Sequence, residues 1–480
     1  MKKEALRMQR VTYVENDITI LDNLNLQIYA GEVMGLLPLD SFGLNKMLEL
    51  MQKNLPILYG QIYIREKLVN SFSIGTETEN NVLMISYENI LVKYLSPEEN
   101  IFILRKGYKG IWINNRIIKS QMQMLTDELK IGVQFNKPLE EMSVFERYIL
   151  EILKAVVSRA DVIILRDPSS VITPDQMDRL YQVVRYYAGK GNTFLYVSTR
   201  QDELCAMCDR TAIMETGRIV KILEKRDLTE RVLRNYMLSY QGMIKRSAQV
   251  EDSPDVERIF RFKDYSYNKI KELSFSIRRG ECLVIHDGGE QIYDDLEYAF
   301  TEGRGDSGQL LYRGKPYRKK DARKIAVVLD NPAENMLFKN MSYEDNLCLT
   351  SDHLLKGLWH RKETRKAIAR ERMGEKMPQN GTEVKSMTIY QKYRLIYGRI
   401  LLQHPDIVVC IHPFLNTDLK LRTLIYQLMK ELLDHGIAVV IVTVNYQNVL
   451  LLADRLMFVK DGKNIGILNR KEFEYLLSET

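Results

Sequence analysis

The chain has 480 residues, of which 45% are hydrophobic and 28% charged, the balance of a folded, water-facing protein with room for more than one domain. Sixty-nine Lys and Arg against 63 Asp and Glu give a formal net charge of +6, too mild at this length to indicate nucleic acid as a partner. No apolar run of about 18 residues and no apolar leader pattern occur, so the expectation is a cytoplasmic chain that reaches a membrane only through a partner.

In chain order, polar–apolar alternation through Leu24-Asn25-Leu26-Gln27-Ile28 predicts a strand of an antiparallel sheet. The unbroken apolar runs at 162–165 and 194–197 predict strands buried on both faces, as in a parallel sheet covered by helices, with a helix over 145–157. Residues 241–255 are polar and aperiodic, the composition of a connection. The pattern then starts again: alternation at Leu273-Ser274-Phe275-Ser276-Ile277, apolar runs at 407–411 and 438–442, and a helix over 421–433. Five cysteines are scattered through the chain. Cys205 and Cys208 form a CxxC without a second pair or a histidine cluster, so they read as thiols, and no metal centre is predicted.

Recurring landmarks make the organisation explicit. Gly31-Glu32 returns as Gly280-Glu281, Gly60-Gln61 as Gly308-Gln309, Met142-Ser143 as Met387-Thr388, Asp209-Arg210 as Asp454-Arg455, and Gly217-Arg218 as Gly462-Lys463, always 245 to 249 positions later. A nearly constant offset at five places is a duplicated domain. It divides the chain into domains at 1–243 and 256–480, joined by a linker at 244–255.

With those landmarks in this order, the chain resembles the ATP-binding-cassette ATPases, and more narrowly the fused two-cassette subunit of bacterial sugar importers of the ribose, galactose and xylose type. Leu95-Ser96-Pro97-Glu98-Glu99-Asn100-Ile101-Phe102 resembles the segment that follows the family's Q-loop, and Met341-Ser342-Tyr343-Glu344-Asp345-Asn346-Leu347 its second copy. Tyr196-Val197-Ser198-Thr199-Arg200-Gln201-Asp202-Glu203 resembles the switch region. The resemblance implies an α/β fold of two P-loop NTPase-like (RecA-like) cassettes in tandem, each with a parallel-sheet core, an antiparallel β subdomain and a helical subdomain. It also implies ATP with Mg²⁺ as cofactors, a membrane permease as partner, peripheral placement at the inner face of the membrane, and room for a homodimer.

The positions that carry the family's chemistry depart from its pattern. A phosphate loop needs glycines, a lysine for the β/γ charge and a Ser/Thr for Mg²⁺. The first loop reads Pro38-Leu39-Asp40-Ser41-Phe42-Gly43-Leu44-Asn45, with Leu44 at the lysine position and Asn45 at the Ser/Thr position. Lys46 comes two residues late on the following helix, roughly 200° round, and Asp40 adds a negative charge. The second loop reads Asp287-Gly288-Gly289-Glu290-Gln291-Ile292-Tyr293-Asp294, with Tyr293 at the lysine position and carboxylates at Glu290, Asp294 and Asp295. The acidic pair after the core strand becomes Arg166-Asp167 in one half and Ile411-His412 in the other. The switch histidine becomes Thr199 in the first half and Val444 or Asn445 in the second; the Q-loop glutamine becomes Tyr87, beside Glu88. At the signature, Ser143 and Thr388 keep the hydroxyl, while Val144, Phe145, Ile389 and Tyr390 replace neighbouring positions and suggest a greasy contact.

The candidate nucleotide-binding residues are therefore Tyr13, Ser41, Gly43, Leu44, Asn45, Ser143, Gly288, Gly289 and Thr388; Tyr13, and Tyr265 or Tyr267 in the second half, stand where the resemblance implies an adenine-stacking aromatic and read equally as packed surface tyrosines. Asp167 is the one candidate catalytic group, and Tyr87 with Glu88 marks the partner-docking face. Ser143 and Thr388 read first as N-caps of the helices that follow, a role that survives loss of nucleotide. Three functional readings follow. The preferred one is a catalytically degenerate subunit that serves as a docking or regulatory scaffold for a permease or a signalling partner. The others are a diverged working ATPase that energises carbohydrate uptake, and a nucleotide sensor without turnover.

Overall fold

A computed structural model describes residues 3–15, 17–72, 77–86, 91–102, 115–129, 133, 135–241, 257–288, 292–350, 361–373, 381–415 and 417–473. The expected linker at 244–255 lies outside the described residues. The chain divides into two compact units, Met1–Gly242 with Asn416–Leu421, and Met243–Leu415 with Arg422–Thr480.

The first unit contains β1 (Glu4–Glu15), β2 (Ile18–Tyr29), β3 (Val33–Pro38), β4 (Tyr59–Ile64), β5 (Lys67–Ser71), β6 (Val82–Ile85), β7 (Val162–Arg166), β8 (Phe194–Val197), β9 (Arg210–Glu215) and β10 (Arg218–Glu224). They form a four-stranded sheet ordered β2-β1-β4-β5 and a six-stranded sheet ordered β10-β9-β3-β8-β7-β6. The first sheet is antiparallel, as the alternation in β2 predicts: Leu21, Leu24, Leu26 and Ile28 are buried while Asn25 faces outward. In the second sheet β3, β6, β7, β8 and β9 run parallel, and β3 and β8 are buried along their whole length. Helices Asn115–Leu129 and Val144–Val157 supply the helical part.

The second unit repeats this plan. Its strands are β11 (Arg258–Tyr267), β12 (Ile270–Arg278), β13 (Cys282–Asp287), β14 (Ser307–Tyr312), β15 (Lys315–Pro316), β16 (Ile325–Val328), β17 (Ile407–Ile411), β18 (Ala438–Thr443), β19 (Arg455–Lys460) and β20 (Lys463–Asn469). The orders β12-β11-β14-β15 and β16-β17-β18-β13-β19-β20 match those of the first unit strand for strand. Helices Arg361–Met373 and Ile389–Gln403 correspond to the helical pair.

The landmarks found by repetition hold the two sheets of each unit together. Glu32 and Arg210 form a buried ion pair, Nε to Oε1 2.6 Å, between the start of β3 and the start of β9. Arg210 also donates to the Gln27 carbonyl at 2.8 Å, and the Glu32 carboxylate accepts the Tyr29 N–H at 2.8 Å, so the pair ties β2 of the antiparallel sheet to the parallel one. Asp209 accepts the Val33 N–H at 2.9 Å. In the second unit Arg455 pairs with Glu281 at 3.3 Å and donates to the Ser276 carbonyl at 3.0 Å, Glu281 accepts the Arg278 N–H at 2.6 Å, and Asp454 accepts the Cys282 N–H at 2.8 Å. Burial pushes the Glu281 carboxyl up, and the Arg455 charge opposes this. The Gly217 and Gly462 landmarks are steric. Both sit at positive φ, and a Cβ there would lie 2.2 Å from the Ile20 carbonyl oxygen or 1.9 Å from that of Lys269.

Removing one partner of a buried ion pair strands the other, at a cost of about 3–5 kcal/mol. Glu32→Ala is therefore expected to destabilise the first unit by roughly that amount in chemical denaturation, with Arg210 left buried; a loss below about 1 kcal/mol would show that the pair does not hold the sheets together.

Candidate functional site

In the first unit the loop after β3 runs into the helix Leu44–Gln52, capped by Gly43 at φ 78°. A Cβ on Gly43 would lie 2.6 Å from the Ile20 carbonyl oxygen, so the close approach of β2 already requires glycine there. Asp40 is buried. Its carboxylate accepts the Phe42 N–H at 3.1 Å and the N–H and hydroxyl of Thr216 at 3.2 Å, which ties the loop to the β9–β10 turn. Leu44 is buried in the apolar core, Asn45 is exposed and Ser41 is half-buried.

Lys46 is half-buried, and its partners lie on its own helix and on β1. Its ammonium lies 2.8 Å from Glu49 and 3.5 Å from Glu15, and 4.8 Å over the centre of the Tyr13 ring. Contacts with Glu49 and Tyr13 raise its pKa well above the usual lysine value despite burial, which alone would lower it. A face of the aromatic ring proposed to stack adenine thus carries a cation of the chain itself. Spacing predicts the helical direction of Lys46 but not its seat on Tyr13, which lies across the β1–β2 hairpin.

The second unit covers its corresponding ring differently. Tyr267 at the end of β11 stacks on Tyr298 of the helix Tyr293–Glu302, centroids 4.4 Å apart and planes 6° from parallel. Tyr265 is buried and donates its hydroxyl to the Arg304 carbonyl at 2.6 Å, so Tyr267 is the partly exposed one of the two. Tyr298 does not stand out in the sequence; its place one turn into the helix after the loop is the signal that could have found it.

The second loop also uses its own carboxylates. Asp287, fully buried, accepts the Ile292 N–H at 2.9 Å, the amide just ahead of the helix. Asp295 accepts the Lys269 N–H at 2.9 Å and an Asn268 amide hydrogen at 3.1 Å, so it holds the β11–β12 turn rather than crowding the loop. Burial, followed by the charges of Asp295 and Asp330, pushes the Asp294 carboxyl up. Gly288 is exposed, and a Cβ there would make an ordinary contact, 3.6 Å, with the Val459 carbonyl oxygen, while Gly289 and Glu290 lie outside the described residues.

Behind the loops, Asp167 and His412 occupy matching places. Both are buried at positive φ, 48° and 42°, and each N–H donates at 2.9 Å to the neighbouring strand, to Val197 and to Val442. His412 packs edge-on against Tyr293, centroids 5.2 Å apart, so the lysine-position residue and the acid-position residue of this unit pack against each other. Burial lowers the His412 pKa to about 4 and keeps the imidazole neutral at pH 7. The Thr199 hydroxyl is buried without a hydrogen-bond partner among the described residues. Mg²⁺ in this fold needs a carboxylate and a hydroxyl from the strand end and the loop. Arg166 and Asn45 at those positions of the first unit, and Ile411 at the strand end of the second, do not fit it, and no step is derived through the metal.

The signature hydroxyls serve as helix caps. Ser143 accepts the Glu146 N–H at 3.2 Å while Glu146 accepts the Ser143 N–H at 2.7 Å, and Thr388 forms the same box with Gln391 at 3.3 and 2.9 Å. Phe145 is 2% exposed, with Arg179 over its ring.

The segments after the Q-loop are built alike in both units. Ser96 and Glu99 form a capping box at 3.2 and 2.8 Å. The Asn100 side chain, fully buried, accepts the Val92 N–H at 2.8 Å and donates to its carbonyl at 3.1 Å. Asn346 grips Phe338 in the same way, 3.0 Å on both sides. What these clamps hold outward is apolar: Val92, with Tyr94 beside it almost fully exposed, and Phe338, 55% exposed. Tyr94 also borders a cleft of about 980 Å³ in the first unit. Tyr87 and Glu88 lie outside the described residues.

The neutral state of His412 has a consequence for stability. Its folded pKa is depressed from 6.5 to about 4, so its contribution is complete above pH 6.5 and is lost as the pH falls toward 4, where the unfolded chain takes the proton first. The loss amounts to roughly 3 kcal/mol. His412→Phe, which keeps the edge contact with Tyr293, should remove that part of the acid sensitivity of unfolding; an unchanged slope would contradict a buried neutral imidazole.

No family model matches the chain. Over 490 residues it is 24% identical to the ribose import ATP-binding protein RbsA of Clostridium tetani, covering 98% of this chain and 96% of that one. It is 23% identical over 482 residues to the galactose/methyl galactoside import ATP-binding protein MglA of Clostridium perfringens, covering 97% and 93%. A chain from a model of ribosome-bound archaeal Pelota and ABCE1 matches 98% of this chain and 80% of its own length with a TM-score of 0.65 and 14% identity, a likeness of fold. The fold is that of two P-loop NTPase-like cassettes in tandem, and along nearly its full length the chain is similar to the ATP-binding proteins of sugar importers.

Proposed function

We propose that the chain is a non-hydrolysing cassette subunit that serves a membrane sugar permease as a docking or regulatory scaffold. The observation that carries this reading is that each adenine-position tyrosine has one ring face occupied by the chain's own side chain, Tyr13 by Lys46 and Tyr267 by Tyr298. The lysine positions support it: Leu44 lies in the core and Tyr293 packs on His412, so neither offers a charge to a polyphosphate. Asp40 and Asp287 take loop amides that an anion would otherwise use. Loss of one preorganised donor costs on the order of 10²–10³ in rate, and here the lysine, metal-holding and switch residue types are all absent in both halves.

The retained chemistry supports the docking half of the reading. The clamps at Asn100 and Asn346 cost the chain buried polar groups and keep apolar side chains outward, an arrangement suited to a protein partner. Among the described residues no helix is long and apolar enough to cross a membrane, so the permease would be a separate chain. The names of the relatives point to the same partner class, and the place of work would be the inner face of the cell membrane.

The purified chain is expected to release no phosphate from ATP with Mg²⁺ above background, with Asp167→Asn unchanged. A pull-down from native membranes is expected to recover an integral membrane protein, and Phe338→Asp to weaken that capture about tenfold or more, as for an interface anchor. Magnesium-dependent turnover abolished by Asp167→Asn would falsify the non-hydrolysing reading, and capture of no membrane protein would count against the scaffold.

A further inference from the structure

The stretch that joins β14 to β16 in the second unit is strongly basic. Residues 313–324 hold seven Lys and Arg against one acid, Asp321, a net charge of 7 − 1 = +6. The matching stretch of the first unit, 65–81 between β4 and β6, holds Arg65 and Lys67 against Glu66, Glu77 and Glu79, a net charge of 2 − 3 = −1. Both stretches make the same connection between the same two sheets, so the fold itself does not require the positive charge.

The backbone of the basic stretch is firmly held. Tyr317 is buried, its ring edge-on to Phe260 at 4.9 Å between centroids and its hydroxyl donated to the Phe300 carbonyl. A short 3₁₀ helix, Lys319–Lys324, follows, and Asp321 accepts the Arg318 N–H at 3.1 Å ahead of it. At its end the Gln403 side chain donates to the Arg323 carbonyl at 3.2 Å, and the Asp406 N–H donates to the Lys324 carbonyl at 2.8 Å. On this frame Lys315, Arg318, Lys320, Arg323 and Lys324 are all exposed, and none forms an ion pair among the described residues. The nearby acids are engaged elsewhere, Glu302 with Lys319 at 2.7 Å and Asp406 with Arg313 at 2.9 Å. Three residues make one turn of a 3₁₀ helix, so Lys320 and Arg323 stand on one face and repel each other.

We propose that this stretch binds the anionic headgroups of a membrane surface. A fixed cluster of unpaired Lys and Arg is complementary to such a surface, where each cation adds to the attraction. No large apolar side chain within 304–324 is exposed, so the attraction is one of charge at headgroup level and not of insertion among acyl chains. The other polyanion of this kind is nucleic acid, whose single strands are held on free aromatic faces. The tyrosines of the region are engaged: Tyr317 is buried, and Tyr312 donates to Asp406 with Arg313 over its ring. The inference rests on the reading above for placing the chain at the inner face of a membrane, but the charge of the stretch is independent of any permease.

The test is sedimentation of the full chain with vesicles of phosphatidylcholine, alone or with about a third phosphatidylglycerol. Saturable binding is expected with the anionic vesicles only, weakened about tenfold when salt rises from about 0.1 to 0.5 M. Each cation near an anionic surface contributes roughly fivefold, so Lys320→Glu with Arg323→Glu should weaken binding about twentyfold or more. Its melting temperature should hold or rise, because a repelling pair is gone. The neutral pair Lys320→Gln with Arg323→Gln repeats the comparison with a smaller loss should the reversal misfold, and Lys67→Glu in the first unit should change nothing. No binding to anionic vesicles, equal binding to neutral ones, or undiminished binding by both double variants overturns the proposal. Tighter binding to a nucleic-acid duplex, lost in the same variants, also overturns it and assigns the stretch to nucleic acid. The vesicles hold no permease, so vesicle binding without capture of any membrane protein would sink the scaffold reading alone. Capture of a membrane protein by a chain that ignores anionic vesicles would sink the lipid contact alone.

Discussion

Each unit depends on one buried ion pair. A carboxylate at the start of the first parallel strand, Glu32 or Glu281, meets an arginine that opens the strand beside it, Arg210 or Arg455, and the arginine also holds a carbonyl of the antiparallel sheet. A pair of this kind is weak as a source of net stability but strong as a constraint, since either partner alone is expensive to bury. It fixes where the two sheets meet, and therefore where the loop after the first parallel strand and the aromatic residues of the hairpin face each other. Everything placed at the candidate sites, from Lys46 over Tyr13 to Tyr298 on Tyr267, hangs on that frame.

Much of this frame was legible in the sequence for a physical reason. Residues that cannot vary without breaking the fold recur at a fixed offset, and each has a steric or electrostatic role in the structure. Gly217 and Gly462 lie against carbonyl oxygens, Asp209 and Asp454 hold strand amides, and Ser143 and Thr388 cap helices. The parallel strands were legible because burial on both faces removes alternation. Substitutions at the loops, such as Leu44 and Tyr293, were equally plain, because the chemistry of a phosphate site demands particular residue types.

What replaces that chemistry was not legible. The Lys46–Tyr13 and Tyr298–Tyr267 contacts join a helix to a hairpin that is distant in sequence, and no local period reports on them. Asp40 and Asp295 read from sequence as repulsion toward phosphate, yet both are spent on turns, at Thr216 and at Asn268-Lys269.

If Lys46 on Tyr13 and Tyr298 on Tyr267 take the ring faces that adenine would use, the purified chain should not hold ATP. Equilibrium dialysis against labelled ATP with Mg²⁺ tests this. No saturable binding is expected up to millimolar nucleotide, and little gain when Mg²⁺ is withdrawn, because the obstruction would be the chain's own side chains. Saturable, magnesium-dependent binding at micromolar concentration that disappears in Tyr13→Ala would contradict it.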